Sequence, residues 1–410
     1  MGIITAQISG NAQIELGGAM RSVAVGTRAA ERRRLDLDLT RGVVVACLVF
    51  FHAAYTLNSA NPMLMRSAFL AKLFAMPLMF VVAGAGIWFS LRSRVARAFV
   101  TERLRRLLVP LVVGIVLVVP PQVYYSLRSN GEDPGPYWQF LGRFFGSGLF
   151  ESAHLWFLWY LLLYSVALLP LFLWLRLESG RPTLDRMALL STRPGGLFLL
   201  GAPVAVVEAA FGSAGAGGWN VLAYVSFLVL GFLISAEPRI RDAVLAAWWQ
   251  AVLVGIAALA ALFVIVHWDI GGADQQLGTG YTFWAIVWRL LKGIAGWAWT
   301  LAVFGLGNYL AGLASRRLRS PAADDGRPGT ARLGWVDRAA RYANQAVLPF
   351  YVLHQTPIVI IGFYVVQWDL NLFAKYLIIS LSSLAVTLLI YDLAIRRANV
   401  TRVMFGMPRR

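Results

Sequence analysis

Arg41 and His52 stand at the two ends of one apolar stretch, RGVVVACLVFFH, with ten residues between them. At ~100° per residue, eleven helical steps return the chain to within ~20° of its starting direction, so both side chains lie on one face of a helix. The rise between them is ~16 Å, about half the thickness of the hydrocarbon core of a membrane. The spacing therefore predicts a guanidinium at a membrane surface and an imidazole near the midplane.

A histidine near the midplane is costly to place in lipid, and such residues usually have a function. His52 could act as a general base or as a nucleophile in group transfer. His354 lies at a predicted depth of ~12 Å in a later apolar run, so the two imidazoles could meet. The alternative is that both histidines form hydrogen bonds between helices and only stabilise packing.

A second group of polar residues falls at the opposite membrane surface. Glu151 and His154 are three residues apart, so the carboxylate could orient the imidazole, or the two could form an exposed pair without a role. The aromatic residues of LWFLWYLL after His154 are either an interfacial belt or a platform for a sugar ring. Glu208, Arg289 and Lys292 lie at similar depth, and we expect them to extend to the lipid headgroups.

Arginines mark the surface from which the first run starts. Arg103, Arg105 and Arg106 form a cluster just before the third apolar run, and Arg41 precedes the first. Guanidinium groups bind phosphate in a bidentate manner, so the arginines suit a polyanionic ligand such as coenzyme A. For Arg41 the alternative is an ion pair with Asp38 at the start of the helix, which would contribute little.

The composition is that of an integral membrane protein. Of the 410 residues, 59% are apolar and only 14% are charged, and fifteen are tryptophan. The sequence predicts an all-α, polytopic helical bundle with about ten transmembrane helices. The predicted apolar runs are 42–58, 69–91, 107–127, 155–175, 196–212, 219–236, 243–266, 293–314, 346–366 and 372–395.

The basic residues set the predicted orientation. Most of the 37 lysines and arginines fall in the terminal segments and the loops on one side, which predicts that both termini are cytoplasmic. These residues account for the net charge of +17 and would contact anionic lipids. They are spread over short loops, so nucleic acid is an unsuitable partner. The predicted divisions are a mobile cytoplasmic tail (1–35), a transmembrane domain (36–398) and a cytoplasmic C-terminal tail (399–410).

Metal chemistry has no support in the sequence. The chain has a single cysteine, Cys47, and no HExxH motif, and carboxylates are scarce within the apolar runs. No Walker loop or dinucleotide-binding fingerprint is present either. The sequence therefore predicts a site without a metal ion.

Several motifs follow one another along the chain: LDLTRG at 37–42, MPLMFVVAG at 76–84, RLRRLLVP at 103–110, HLWFLWYLL at 154–162 and LPFYVLHQTPI at 348–358. In this order they resemble the membrane-bound acyltransferase 3 family. The last motif and the ending FGMPRR look most like the branch that includes glucans biosynthesis protein C, a succinyltransferase acting on periplasmic glucans. Ala83 departs from the family, which often has serine there, as does Thr40, which stands at a leucine-like position.

The resemblance implies about ten spans in a bacterial inner membrane. It also implies an acyl-CoA donor, acetyl-CoA or succinyl-CoA, on the cytoplasmic side, and an acceptor hydroxyl on an exported carbohydrate, glucan or related molecule. The residues it points to are Arg41, His52, Arg103, Arg105, Arg106, His154 and His354. A rival hypothesis is a transporter or flippase for an acylated lipid or sugar, with polar residues lining its path. An O-acyltransferase acting on a lipid or a secondary metabolite is a further alternative.

Overall fold

The computed structural model describes residue 45 and residues 47–57, 62–146, 151–213, 215–270, 280–317 and 330–409. This part of the chain is almost entirely helical and contains no β-strand. The first helices are α1 (Cys47–Thr56), α2 (Pro62–Ser93), α3 (Ala96–Ser129), α4 (Tyr137–Gly146) and α5 (Ala153–Ala167). They are followed by α6 (Leu169–Trp174), α7 (Arg181–Thr192), α8 (Gly196–Phe211), α9 (Val221–Ala236) and α10 (Pro238–His267). The last are α11 (Phe283–Arg317), α12 (Thr330–Leu353), α13 (Gln355–Val365), α14 (Leu372–Ile395) and α15 (Asn399–Met404).

The apolar helices agree with the predicted membrane class. In the described ranges five helices are long and apolar enough to cross a membrane, namely most of α2, α3, α10, most of α11 and α14. The bent pair α12 and α13 makes a sixth candidate span, and α1, α5, α8 and α9 are shorter apolar helices. Each of the ten predicted runs overlaps one of these helices or the bent pair. The all-helical membrane class is therefore confirmed, whereas the count of ten spans and the side of the termini stay predictions.

The late histidine lies where two helices meet at an angle. Helices α12 and α13 are bent by 54° across a break at His354. Pro357 has no N–H to donate to the carbonyl group of Leu353, and its ring clashes with that carbonyl, so the helix bends in the turn that contains His354. The bend carries the His354 side chain into the interior, where it is fully buried.

Helices α2 and α9 pack closely against each other. Gly84 of α2 lies against the backbone of α9, where an added Cβ would be 2.0 Å from the Leu228 carbonyl oxygen. Gly231 of α9 makes the matching approach to α2, with the Val81 carbonyl oxygen 1.9 Å from its Cβ position. Small residues at such a contact let two apolar helices approach without side chains between them. Phe80, Tyr224 and Phe227 fill the adjoining core.

The prediction that the outer charged residues reach the headgroups is wrong. Glu208 and Arg289 are fully buried, and Lys292 is 3% exposed. The Lys292 ammonium donates to the Glu208 carboxylate at 2.8 Å and to the Gly218 carbonyl at 2.5 Å. Ion pairing replaces the hydration that these charges would lose in an apolar interior. The pair fixes the loop after α8, because the main-chain N–H of Asn220 also donates to the Glu208 carboxylate at 2.6 Å.

The chain after α14 packs back onto the bundle. Gly406 has φ = +75°, a conformation that suits glycine, and a Cβ there would lie 2.7 Å from the Arg106 carbonyl oxygen. Arg402 is 5% exposed and donates through Nε to the Pro408 carbonyl at 2.9 Å. Residues 399–409 therefore form part of the surface beside the arginine cluster of α3.

Candidate active site

Three of the four histidines come together inside the bundle. The ring of His52 in α1 lies 5.3 Å from that of His354, measured between centroids, and the ring of His154 lies 5.2 Å from that of His354. The predicted meeting of His52 and His354 is thus present, and His154 joins them. Arg41, predicted to share the helix face of His52, lies outside the described residues.

His354 has one ring nitrogen engaged and one available. Its Nδ1 lies 2.7 Å from the Tyr351 carbonyl oxygen, and since a carbonyl can only accept, Nδ1 donates. A neutral His354 therefore carries its lone pair on Nε2. Among the described residues this buried Nε2 has no hydrogen-bond partner. The bend at His354 thus holds a ring nitrogen free for an exchange of protons with its neighbours.

His154 is held by groups other than the one its spacing suggested. Its Nε2 lies 3.0 Å from the Val352 carbonyl oxygen and its Nδ1 lies 3.1 Å from Oε1 of Gln122. The Tyr351 hydroxyl donates to the main-chain carbonyl of His154. Gln122 and Val352, rather than Glu151, thus orient this imidazole. With its ring nitrogens occupied, His154 contacts His354 only through an edge-to-face packing of the two rings.

The His52 side chain lines a cavity of about 290 Å³, which we call the histidine cavity. Its other walls come from α1, α2, α3, the start of α5, the loop before α9 and the α12–α13 bend. The lining residues that bear on the chemistry are Tyr55, Lys72, Gln122, Glu151, His154, Trp156, Tyr351 and Gln355. Glu151 and Tyr55 are exposed, so this cavity reaches the protein surface. Aromatic and hydrogen-bonding side chains make it suitable for a polar molecule with hydroxyl groups.

Glu151 lies at the mouth of the histidine cavity, before α5. Partial burial raises the pKa of its carboxyl group above the ordinary value, because the charged form loses hydration. The residue therefore keeps its proton to a higher pH than a fully hydrated glutamate. Glu151 and His154 line the same cavity, but the side chain that forms a hydrogen bond with the His154 ring is Gln122.

A second cavity of about 380 Å³, the arginine cavity, lies farther along the same helices. Arg94, Glu102, Arg103, Arg106 and Asn344 line its polar end, whereas Met79, Phe157, Leu158 and Leu161 line its apolar end. On α2 it extends from Ser93 to Met79, a rise of ~21 Å. A long chamber that is basic at one end and apolar at the other suits a ligand with phosphates and a thin, largely apolar arm.

Two of the three clustered arginines face that chamber. Arg103 and Arg106 line it, and Arg105 is exposed on another side of α3. Glu102 binds Arg94 at 3.0 Å and Arg106 at 3.5 Å, which keeps both guanidinium groups at the polar end. The guanidinium of Arg103 packs over the Phe99 ring, 5.0 Å from its centroid. The three arginines therefore differ: Arg106 pairs with Glu102, Arg103 packs on an aromatic ring, and Arg105 faces away from the cavity.

Tyr351 lines both cavities and separates them. Its ring lies 5.4 Å from that of Phe157, which lines the arginine cavity, while the preceding Trp156 lines the histidine cavity. The side chain of Tyr351 is 3% exposed. A substrate arm that entered from the arginine cavity would meet this ring before it reached His52.

Four residues of the histidine cavity were not predicted from the sequence, namely Lys72, Gln122, Tyr351 and Gln355. Tyr351 and Gln355 flank His354 within the motif LPFYVLHQTPI, and their spacing was the available signal. Gln122 is an amide inside an apolar run, which is itself unusual in lipid. Lys72 is one of many basic residues, and nothing in the sequence around it marks it as part of a site. In the described ranges no group of three His, Cys, Asp or Glu side chains could hold a metal ion, and a reaction without metal stays a prediction of the sequence.

Comparison with known families gives a match over most of the chain. The family model described as an acyltransferase domain, Acyl_transf_3, matches residues 34–392. Comparison with curated proteins and with solved structures gave no match. The matched range contains all three clustered histidines and both cavities. The chain is therefore a member of the acyltransferase 3 family, a membrane protein that acts as an acyltransferase.

Proposed function

We propose that this acyltransferase moves an acetyl or succinyl group from cytoplasmic acyl-CoA to a hydroxyl group of an exported carbohydrate or glucan, in the inner membrane of a bacterium. The observation that supports this most directly is that the arginine cavity and the histidine cavity meet at Tyr351. One chamber fits the donor and the other contains the reactive imidazole, so the acyl group has only a thin wall to pass.

The arginine cavity suits the donor. Arg103 and Arg106 would bind the phosphates of coenzyme A, since guanidinium groups pair with phosphate oxygens. The apolar end, between Met79 and Phe157, would take the pantetheine arm and bring the thioester to Tyr351. In the orientation predicted from the positive-inside rule, the arginine end would face the cytoplasm, where acyl-CoA is present.

The histidine cavity suits the acceptor. We propose that His52 removes the proton from the acceptor hydroxyl, or takes the acyl group first and passes it on. In both routes the thioester C–S bond breaks, a C–O bond to the acceptor forms, and the hydroxyl proton ends on the coenzyme A thiol. Trp156 and Tyr55 line the cavity and offer flat faces for a sugar ring. We propose that His354, which is fully buried behind the cavity, positions His52, while His154 lines the cavity beside them.

Everted membrane vesicles provide the test, because their cytoplasmic face is outside. We expect labelled acyl-CoA added outside to label a glucan oligosaccharide loaded inside, and expect coenzyme A release only when that acceptor is present. Mass spectrometry of the acceptor should show a gain of one acyl unit. Release without acceptor labelling would refute the carbohydrate acceptor. Uptake of a pre-acylated glycan without thioester cleavage would favour the transporter hypothesis instead.

A further inference from the structure

Lys72 projects into the histidine cavity from α2. Its ammonium group lies 5.0 Å from the centroid of the Tyr55 ring. Tyr55 and His52 are three residues apart on α1 and line the same cavity, so they lie about one helical turn from each other. The cation is therefore close to the imidazole at which the acyl group is proposed to react.

Within the part of the chain that the structure describes, no carboxylate pairs with Lys72. Glu151 lines the same cavity without forming an ion pair with it. Lys292 shows the contrast, because its ammonium is 2.8 Å from the Glu208 carboxylate and also bonds a carbonyl group. Lys292 thus has a structural role, whereas Lys72 presents its charge to the cavity.

A half-buried ammonium loses part of its hydration, and an aromatic face offsets only some of that loss. An anionic group on a ligand would replace the rest of the lost hydration, because it would accept a charge-assisted hydrogen bond from the Lys72 ammonium. A carboxylate two methylene groups beyond the reacting carbonyl would reach about 4–5 Å from it. That reach is comparable with one helical turn, the separation of His52 and Tyr55.

We propose that Lys72 binds a substrate carboxylate in the histidine cavity and so makes the enzyme prefer an anionic acyl chain or an anionic acceptor over a neutral one. This inference rests on the proposed function. The length of such an acyl chain favours it over the acceptor as the source of the carboxylate. An acceptor with an acidic sugar would present the same chemistry from the opposite direction.

The test compares substrate ratios within each variant, which cancels any general loss of activity. Everted vesicles are given acetyl-CoA or succinyl-CoA outside, and a neutral or a glucuronate-bearing glucan oligosaccharide inside. We expect the wild type to prefer succinyl-CoA, and Lys72→Met to lower the succinyl-to-acetyl ratio of kcat/KM roughly ten- to a hundredfold. Lys72→Arg should retain most of the preference. Lys72→Gln replaces Lys72→Met if the latter does not reach the membrane.

Lys375→Met is the matched control, because Lys375 donates to the Val366 carbonyl and lines neither cavity. A fall in the preference for the acidic acceptor, with the donor ratio unchanged, would assign the carboxylate to the acceptor and support the same role for Lys72. Active variants in which neither ratio moves would overturn the inference and leave the proposed function intact. Absence of transfer for every donor and acceptor in the wild type would overturn both.

Discussion

The His354 ring lies 5.3 Å from the ring of His52, although the two residues come from helices near opposite ends of the chain. His52 lines the cavity and His354 is fully buried behind it. Because His354 donates through Nδ1 to the Tyr351 carbonyl, its Nε2 is the nitrogen that can exchange a proton with a neighbour. In the mechanism that we propose, His52 therefore contacts the substrate and His354 positions His52.

Replacing His52 should therefore abolish most acyl transfer. A general base or nucleophile contributes about 10²–10⁴-fold to a rate, so we expect His52→Gln to lower kcat by that factor at normal membrane levels. His267→Gln is the matched control, because His267 is exposed, stacks on Phe263 and lines neither cavity. Unchanged transfer by His52→Gln would remove this residue from the mechanism.

Tyr351 should control whether the thioester meets water or acceptor. Tyr351→Ala removes the ring that separates the two cavities, so we expect hydrolysis of acyl-CoA without acceptor to rise while transfer falls. Tyr351→Phe keeps the ring and loses only the hydroxyl that donates to the His154 carbonyl. We expect this variant to keep hydrolysis low and to lose about 1–3 kcal/mol of stability from the unsatisfied carbonyl. Equal hydrolysis rates in both variants would contradict a separating role for the ring.

The arginines of α3 should differ in their effect on donor binding. Arg103→Gln and Arg106→Gln each remove a guanidinium from the arginine cavity, and we expect the KM for acyl-CoA to rise about tenfold. Arg105→Gln should change KM less than about twofold, since Arg105 is exposed outside the cavity and surface charges act weakly. Arg97→Gln, another exposed residue of α3, is the control. Equal effects of all three cluster variants would favour binding by the cluster as a whole.

These residues show what the sequence can predict. Helical spacing predicted that His52 and His354 meet, because depth in a membrane follows from position along a helix. The same spacing could not reveal that Gln122 orients His154, since that contact joins α3 to α5. Likewise, nothing local shows whether Lys292 faces lipid or Glu208, because the answer depends on how α8 packs against α11. The position of Tyr351 in the lining of both cavities depends on how α12 packs against α2 and α5, and its only local signal was its place near His354.

The raised pKa of Glu151 makes a prediction about stability and pH. Folding raises the pKa of this carboxyl above its ordinary value of 4.5, so the folded state binds a proton more tightly than the unfolded state. The associated stability is present at low pH and is lost as the pH rises through the folded-state pKa. We expect the thermal midpoint of the purified protein to fall less for Glu151→Gln than for the wild type between pH 4.5 and pH 7. Parallel pH dependences for the two proteins would contradict this assignment.

The buried pair of Glu208 and Lys292 should be stabilising only as a pair. Lys292→Met leaves the Glu208 carboxylate uncompensated in an apolar interior, and we expect a loss of about 3–5 kcal/mol, measured as a lower thermal midpoint in detergent. Glu208→Gln should also destabilise, since the Lys292 ammonium loses its counterion. The double variant should recover much of the loss, because neither position then carries a charge without its counterion and the glutamine oxygen can still accept from the main-chain amide of Asn220. Additive losses in the double variant would show that the two side chains act independently.

Because this pair fixes the loop that brings Gly217 into the wall of the histidine cavity, acyl transfer should fall together with the thermal midpoint in the single variants and return with it in the double variant.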